Sequence, residues 1–170
     1  PIMQQLRDDT HALHMQAEGQ SLQRELIHGD LPKCLFIAYL EQLFLIHRRL
    51  EAHLAMLTET LPEAGRVIRP YHFHEERLRR DLHHFGRHSE SVQALSATTL
   101  FLSHLDDNAI RNPWALLGVH YVLEGSKNGG RFQAMKVRET YALAASAGTE
   151  YLDPYGDQQR ALWQIFKDDM

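Results

Sequence analysis

A histidine and a glutamate four residues apart, His14 and Glu18, have the types and the spacing for metal chemistry. Positions i and i+4 lie on the same face of a helix, one turn apart. A histidine whose second ring nitrogen meets a carboxylate is held in the orientation that a metal ligand needs. The same pair also fits an ordinary ion pair on a helix surface, and the spacing alone does not decide between the two.

Three glycines, Gly125, Gly129 and Gly130, interrupt residues 114–135, a stretch that otherwise has the apolar spacing of a strong helix. In a helix interior they would cost about 2–3 kcal/mol relative to alanine. Gly125 and Gly129 share one face, where bare backbone lets a flat ligand come close. Two other interpretations stay open: one of these glycines ends the helix, or the glycines let a second helix pack closely.

Composition sets bounds on the class of protein. At this length the expectation is one domain, residues 1–170. The net charge of −4 argues against nucleic acid as a partner. No apolar run reaches the roughly 20 residues of a membrane span, which argues against a membrane partner. The single cysteine, Cys34, fits a reducing compartment such as the cytoplasm.

Apolar residues recur with a helical period along the chain, and no stretch alternates as a strand does. The fold class is therefore all-α, with six to eight helices in one domain. The spacing predicts helices over residues 3–18, 22–27, 32–57, 74–84, 89–105, 113–147 and from 157 onward. Five histidines between the second long helix and residue 89 are predicted to be solvated, because no cysteine accompanies them: His72, His74, His83, His84 and His88.

Two stretches resemble the haem oxygenase family. The segment Leu6-Arg-Asp-Asp-Thr-His-Ala-Leu-His14-Met-Gln-Ala-Glu18 is similar to the helix that supplies the proximal histidine in that family. The segment Tyr121-Val-Leu-Glu-Gly125-Ser-Lys-Asn-Gly129-Gly130 looks like the kinked distal helix of bacterial members. The resemblance covers nearly the whole chain in order. It implies a single-domain, haem-oxygenase-like bundle of helices with a glycine-kinked distal helix.

The resemblance also implies which residues hold haem. His14 would ligate the iron, and Glu18 would orient its ring. Arg7 and His11 lie where family members often carry basic residues for the haem propionates, and Arg7 is favoured because it is always charged. On the distal side the backbone of Gly125, Gly129 and Gly130 would approach the porphyrin.

Proton delivery is the point at which this sequence departs from the family pattern. Ser126 occupies the position where many members carry an aspartate that orders water. His47 falls near the position of a distal tyrosine, so the two side chains are expected to share a route through water. Glu124 is predicted to lie about 100° off the haem face, and Lys127 on the outer side of the helix.

The activity that the resemblance implies is that of a haem-degrading monooxygenase. Members use haem as substrate and cofactor together, consume O2 and electrons from a redox partner such as ferredoxin or a reductase, and release biliverdin, CO and iron. Members usually have one more helix after the region of Trp163. We therefore expect that a C-terminal helix is missing or that the pocket is less enclosed.

Two other functions stay open. A haem-binding or interaction protein of the same fold without turnover is compatible with Ser126, Lys127 and Asn128 in the distal helix. A non-haem di-iron oxidase would need several carboxylate and histidine ligands from three helices. Glu41 and His47 are six residues apart and do not share a helix face, which disfavours that alternative.

Overall fold

The computed structural model describes the backbone of residues 2–170 and the side chains of residues 4–170. Within these residues it contains seven α-helices and no strand, which confirms the predicted fold class. The helices are α1 (Ile2–Glu18), α2 (Ser21–His28), α3 (Lys33–Thr60), α4 (Glu75–His84), α5 (Ser96–Arg111), α6 (Ala115–Tyr141) and α7 (Gln159–Asp169). Short 3-10 turns lie at Pro62–Arg66, Pro70–His72, Ser89–Ser91 and Gly156–Gln158.

The long helix α3 is the centre of the bundle, and it packs against α4, α5 and α6. Its sequence contains no glycine or proline, and it ends at Thr60, just before Leu61 and Pro62. Apolar side chains recur every three or four residues and are buried, which gives the helix an extensive core face. This face includes Phe36, Leu40, Leu43, Phe44, Leu50, Leu54 and Leu57.

The other long helix, α6, continues without a break through all three glycines. The interpretation in which Gly125 or Gly129 ends a helix is therefore wrong. The helix ends at Tyr141 rather than near Ala147, because Ala142 adopts a left-handed conformation with φ of 54° and the Leu143 amide turns back to the Arg138 carbonyl.

The boundaries of α5 also differ from the prediction. Residues 89–91 form only a 3-10 turn, and the helix proper begins at Ser96. Gln42 explains part of this shift, since its side chain bonds the backbone of Gln93 and Leu95 and holds that segment outside the helix. The helix then continues to Arg111, because the segment after it, which contains Pro113, is the first that cannot extend it.

Helix α1 differs from the rest because it packs mainly against α2 and places no described side chain in the core. Two of its apolar side chains, Leu13 and Met15, are more than half exposed. Helix α2 in turn packs against α6. None of the helices that the structure describes has both the length and the apolar character that crossing a membrane requires.

Candidate functional site

One face of α6 is bare backbone. A Cβ atom built at Gly118 or at Gly129 would meet no described atom within 4 Å outside the helix itself. With Gly125, these positions are seven and four residues apart, so the three glycines form one stripe along the helix. Val122 and Phe132, on the same side, are about half exposed. The result is an open apolar strip that a flat ligand can approach at backbone distance.

The other two glycines of the predicted site are more crowded. A Cβ at Gly125 would stand 3.4 Å from the indole ring of Trp163, so α7 covers part of this position. Gly130 faces away from the strip, and a Cβ there would overlap the carbonyl oxygen of Leu152. This direction does not support the expectation that Gly130 contacts a ligand, which stays a prediction. This residue is a glycine because the chain after α6 crosses the helix there.

On α1, His14 and Glu18 point into open space. The Nδ1 atom of His14 lies 3.6 Å from a carboxylate oxygen of Glu18, and the two side chains are 67% and 58% exposed. At this distance the two groups are an ion pair rather than a hydrogen bond, and Nε2 of His14 is left free to bind a metal. Arg7 and His11, one turn or two before His14, are exposed as well.

A second histidine–glutamate pair with the same spacing, His47 and Glu51 on α3, lies in the core. These side chains are 3% and 9% exposed, and Nδ1 of His47 lies 2.9 Å from Glu51. The other ring nitrogen accepts a hydrogen bond of 3.0 Å from the hydroxyl of Tyr151. Burial lowers the pKa of His47 to about 3, so the ring is neutral. Both nitrogens are occupied, and His47 does not reach the open strip of α6.

The prediction that His72 and His74 are solvated is wrong, since both are buried. The Nε2 atom of His74 lies 2.9 Å from Glu124 on α6, and its Nδ1 accepts from Arg77. Tyr155 donates to the other oxygen of Glu124 at 2.8 Å. A neutral histidine explains this pattern, and burial lowers the pKa of His74 well below its usual value. In contrast, His83, His84 and His88 are exposed as predicted.

Ser126 and Lys127 occupy very different surroundings, although they are neighbours on α6. Ser126 is exposed, and its hydroxyl donates to the carbonyl of Leu123 at 2.7 Å. Lys127 is only 2% exposed. The prediction that this lysine lies on the outer side of the helix is therefore wrong. Both residues line a cavity of about 60 Å³ between α2, α3 and α6.

Comparison with known proteins identifies the chain. The model of the family described as "Heme oxygenase" matches residues 1–170. The chain belongs to the haem oxygenase family. Among solved structures, haem oxygenase-1 from the cyanobacterium Synechocystis in complex with haem superposes with a TM-score of 0.87 at 19% identity, over 98% of this chain and 76% of the other. Haem oxygenase from Leptospira interrogans gives 0.86 at 20% identity, over 96% and 82%. No curated protein sequence matches the chain.

The described geometry of this haem oxygenase family member fits haem on two counts. The open glycine strip of α6 provides a flat apolar surface, and α1 lacks the core contacts that normally hold an amphipathic helix. His14 supplies a ring nitrogen on that unsupported helix. In contrast, no three histidine, cysteine, aspartate or glutamate side chains among the described residues converge as metal ligands. The ligand set that the di-iron alternative requires is thus not formed there.

Sequence reasoning missed two features of this part of the protein. Gly118 extends the strip by two turns. Its spacing of seven residues from Gly125 could have placed it on the same helix face from the sequence alone. The buried network of Glu51, His74 and Glu124 was also missed, although His47–Glu51 repeats the spacing of His14–Glu18. That spacing does not show which pair is exposed, since exposure depends on the packing of the whole bundle.

Proposed function

We propose that this protein cleaves haem oxidatively to biliverdin, CO and iron, using O2 and electrons from an external donor such as a ferredoxin or a reductase. A cytoplasmic location fits the free, exposed thiol of Cys34. Two observations carry the proposal: α6 has an open glycine strip, and α1 exposes a histidine whose Nε2 can bind a metal.

The residues that would hold haem come from both helices. His14 would bind the iron through Nε2, while Glu18 fixes the ring from the Nδ1 side. Arg7 and His11 are exposed on the same helix and would meet the propionates. Gly129, with an open Cβ direction, would allow the closest approach of backbone to the porphyrin.

Bound haem supplies the iron that activates oxygen and the porphyrin that is cleaved. The protein has to bring protons to the distal side and keep bulk water limited. Ser126 is an exposed polar side chain beside Gly125, and its hydroxyl can hold a water but carries no charge. His47 would act only indirectly, because it contacts Tyr151, which lines the cavity that Ser126 borders.

The test is turnover with hemin. The protein is loaded with hemin, given ascorbate or a ferredoxin system under air, and followed by absorbance for biliverdin and by a haemoglobin trap for CO. We expect both products in a catalase-resistant reaction. Haem bound with a histidine spectrum but no biliverdin would instead support the alternative of a haem-binding protein without turnover.

A further inference from the structure

Lys127 is a buried cation with an unusual environment. Among the side chains that the structure describes, its Nζ is the only buried nitrogen or oxygen without a hydrogen-bond partner. It lies 3.1 Å from the centroid of the Tyr151 ring, so it contacts the π face of that ring. Burying an ammonium group in this way costs stability. A residue that costs stability is a candidate for function.

Charges on three neighbouring elements act on Lys127. Glu124 on its own helix and Glu51 on α3 attract the ammonium, and so does Asp81 on α4, whereas Arg77 on α4 repels it. Burial outweighs the attraction and lowers the pKa of Lys127 to about 7. Four titratable groups near Lys127 are uncharged at neutral pH: Tyr39, His47, His74 and Tyr151. The amine can therefore gain and lose a proton near neutral pH.

A polar cavity lies beside this amine, and Ser126 of α6 borders it. Its volume of about 60 Å³ has room for a few waters, and its walls carry the side chains that waters need. These walls include Gln23, Tyr39, Ser126, Gln133 and Tyr151. Ser126 borders the cavity and is also exposed, next to the glycine strip. Lys127 lies at the inner end of this cavity, and Ser126 at the outer end.

We propose that Lys127 is a proton reservoir that feeds the glycine face of α6 through water in this cavity and the hydroxyl of Ser126. The inference rests on the proposed function, because it supplies the protons that haem cleavage consumes. The ammonium releases one proton from Nζ to a cavity water and becomes a neutral amine. Solvent then returns one proton along the same waters, so no other group changes its charge.

A purely structural role makes different predictions. If Lys127 only neutralises Glu51, Glu124 and Asp81, any permanent cation would serve, and the pH dependence of turnover would not involve it. Arginine separates the two roles, because a guanidinium keeps its charge but does not release its proton. Lys127→Arg and Lys127→Met are therefore the informative variants. Lys136→Met is the matched control, since Lys136 on the same helix pairs with Glu139 at the surface.

The first measurement needs no haem. Lysine side chains carrying ¹³C at Cε are titrated by NMR in the hemin-free protein and in the three variants. We expect one resonance that titrates about three units below the others, present in Lys136→Met and missing in Lys127→Met. If every lysine titrates near its ordinary value, the reservoir is refuted, whatever the activity.

The second measurement is the pH profile of biliverdin formation. In the parent and Lys136→Met, the rate is expected to fall as the pH rises above about 7, because the donor is then deprotonated. Lys127→Met and Lys127→Arg should both be at least about tenfold slower below that pH, with a flat profile.

A variant profile identical to that of the parent, or arginine restoring the parent profile, would overturn the reservoir while haem cleavage stands. A parent that makes no biliverdin would refute the proposed function and the reservoir together. Circular dichroism checks that each variant is folded.

Discussion

Gly130 on α6 lies so close to Leu152 that a Cβ at this position would overlap the carbonyl oxygen of Leu152. Its neighbour Gly129 points about 100° further around the helix, into open space. Two adjacent glycines on one helix thus serve different purposes: Gly130 allows the chain after α6 to cross the helix, and Gly129 keeps the outer face bare.

Alanine at these two positions should have opposite effects on the free energy of unfolding. Gly129→Ala is expected to stabilise by up to about 1 kcal/mol, because alanine favours helix and meets no neighbour. Gly130→Ala should destabilise by about 1–3 kcal/mol, since the backbone of Leu152 must move. Urea unfolding followed by circular dichroism measures both. Equal effects of the two changes would contradict the described packing.

Leucine at Gly129 tests the open strip as a ligand surface. The added side chain would occupy the space that we assign to haem, so hemin affinity should fall at least about tenfold while the protein stays folded. Asn128→Leu is the matched control, because this exposed position lies about 100° around the helix. Gly125→Leu is less informative, since it would also push on Trp163. Unchanged hemin affinity in Gly129→Leu would remove haem from this face.

The buried Lys127 should make stability depend on pH. Its pKa of about 7 lies below the value of an unfolded lysine, so the cost of burying it is absent at high pH and grows as the pH falls toward 7. Lys127→Met should therefore stabilise by roughly 2–4 kcal/mol near pH 6.5 and by about 1 kcal/mol near pH 9.5. Urea unfolding at both pH values, with Lys136→Met as control, measures this. A gain that does not change with pH would show that Lys127 is not the titrating group.

Ser126 and His47 are expected to differ in how they affect turnover. Ser126→Ala should slow biliverdin formation only a few-fold, because a water can replace the hydroxyl. His47→Leu should slow it more and also cost stability, since it leaves Glu51 and Tyr151 without their buried partner. Single-turnover biliverdin formation, compared with urea unfolding of the same variants, separates the two effects. Turnover unaffected by either change would refute the water route.

The sequence was sufficient to predict the fold class and most helices, because the helical period of α3 and α4 is strong and Pro62 marks where α3 ends. It was not sufficient for α5, which continues to Arg111 rather than ending at residue 105. It was not sufficient for the end of α6, where Ala142 takes a conformation that alanine rarely adopts. It also did not reveal that His74 and Lys127 are buried. From sequence alone, a charged or polar residue is predicted to be exposed. Only the packing of α3, α4 and α6 brings Glu51 and Glu124 close to His74 and Lys127.

The position of Gly130 shows the same limit within the site. Its place in the motif was visible, but its neighbour Leu152 lies 22 residues later in the chain. A contact of that kind depends on how the segment after α6 returns across the helix. Gly125 and Gly129, by contrast, could be assigned to one face from spacing alone.

The most direct test of the haem site is a hemin titration of the parent and of His14→Ala, read by the Soret band and by the spectrum of the ferric complex. His104→Ala, an exposed histidine on α5, is the matched control. We predict a one-to-one complex with the spectrum of a histidine-ligated haem in the parent and the control, and loss of that spectrum in His14→Ala, with recovery on adding imidazole. The same spectrum in His14→Ala as in the parent would contradict the assignment of His14 and, with it, the placement of haem between α1 and α6.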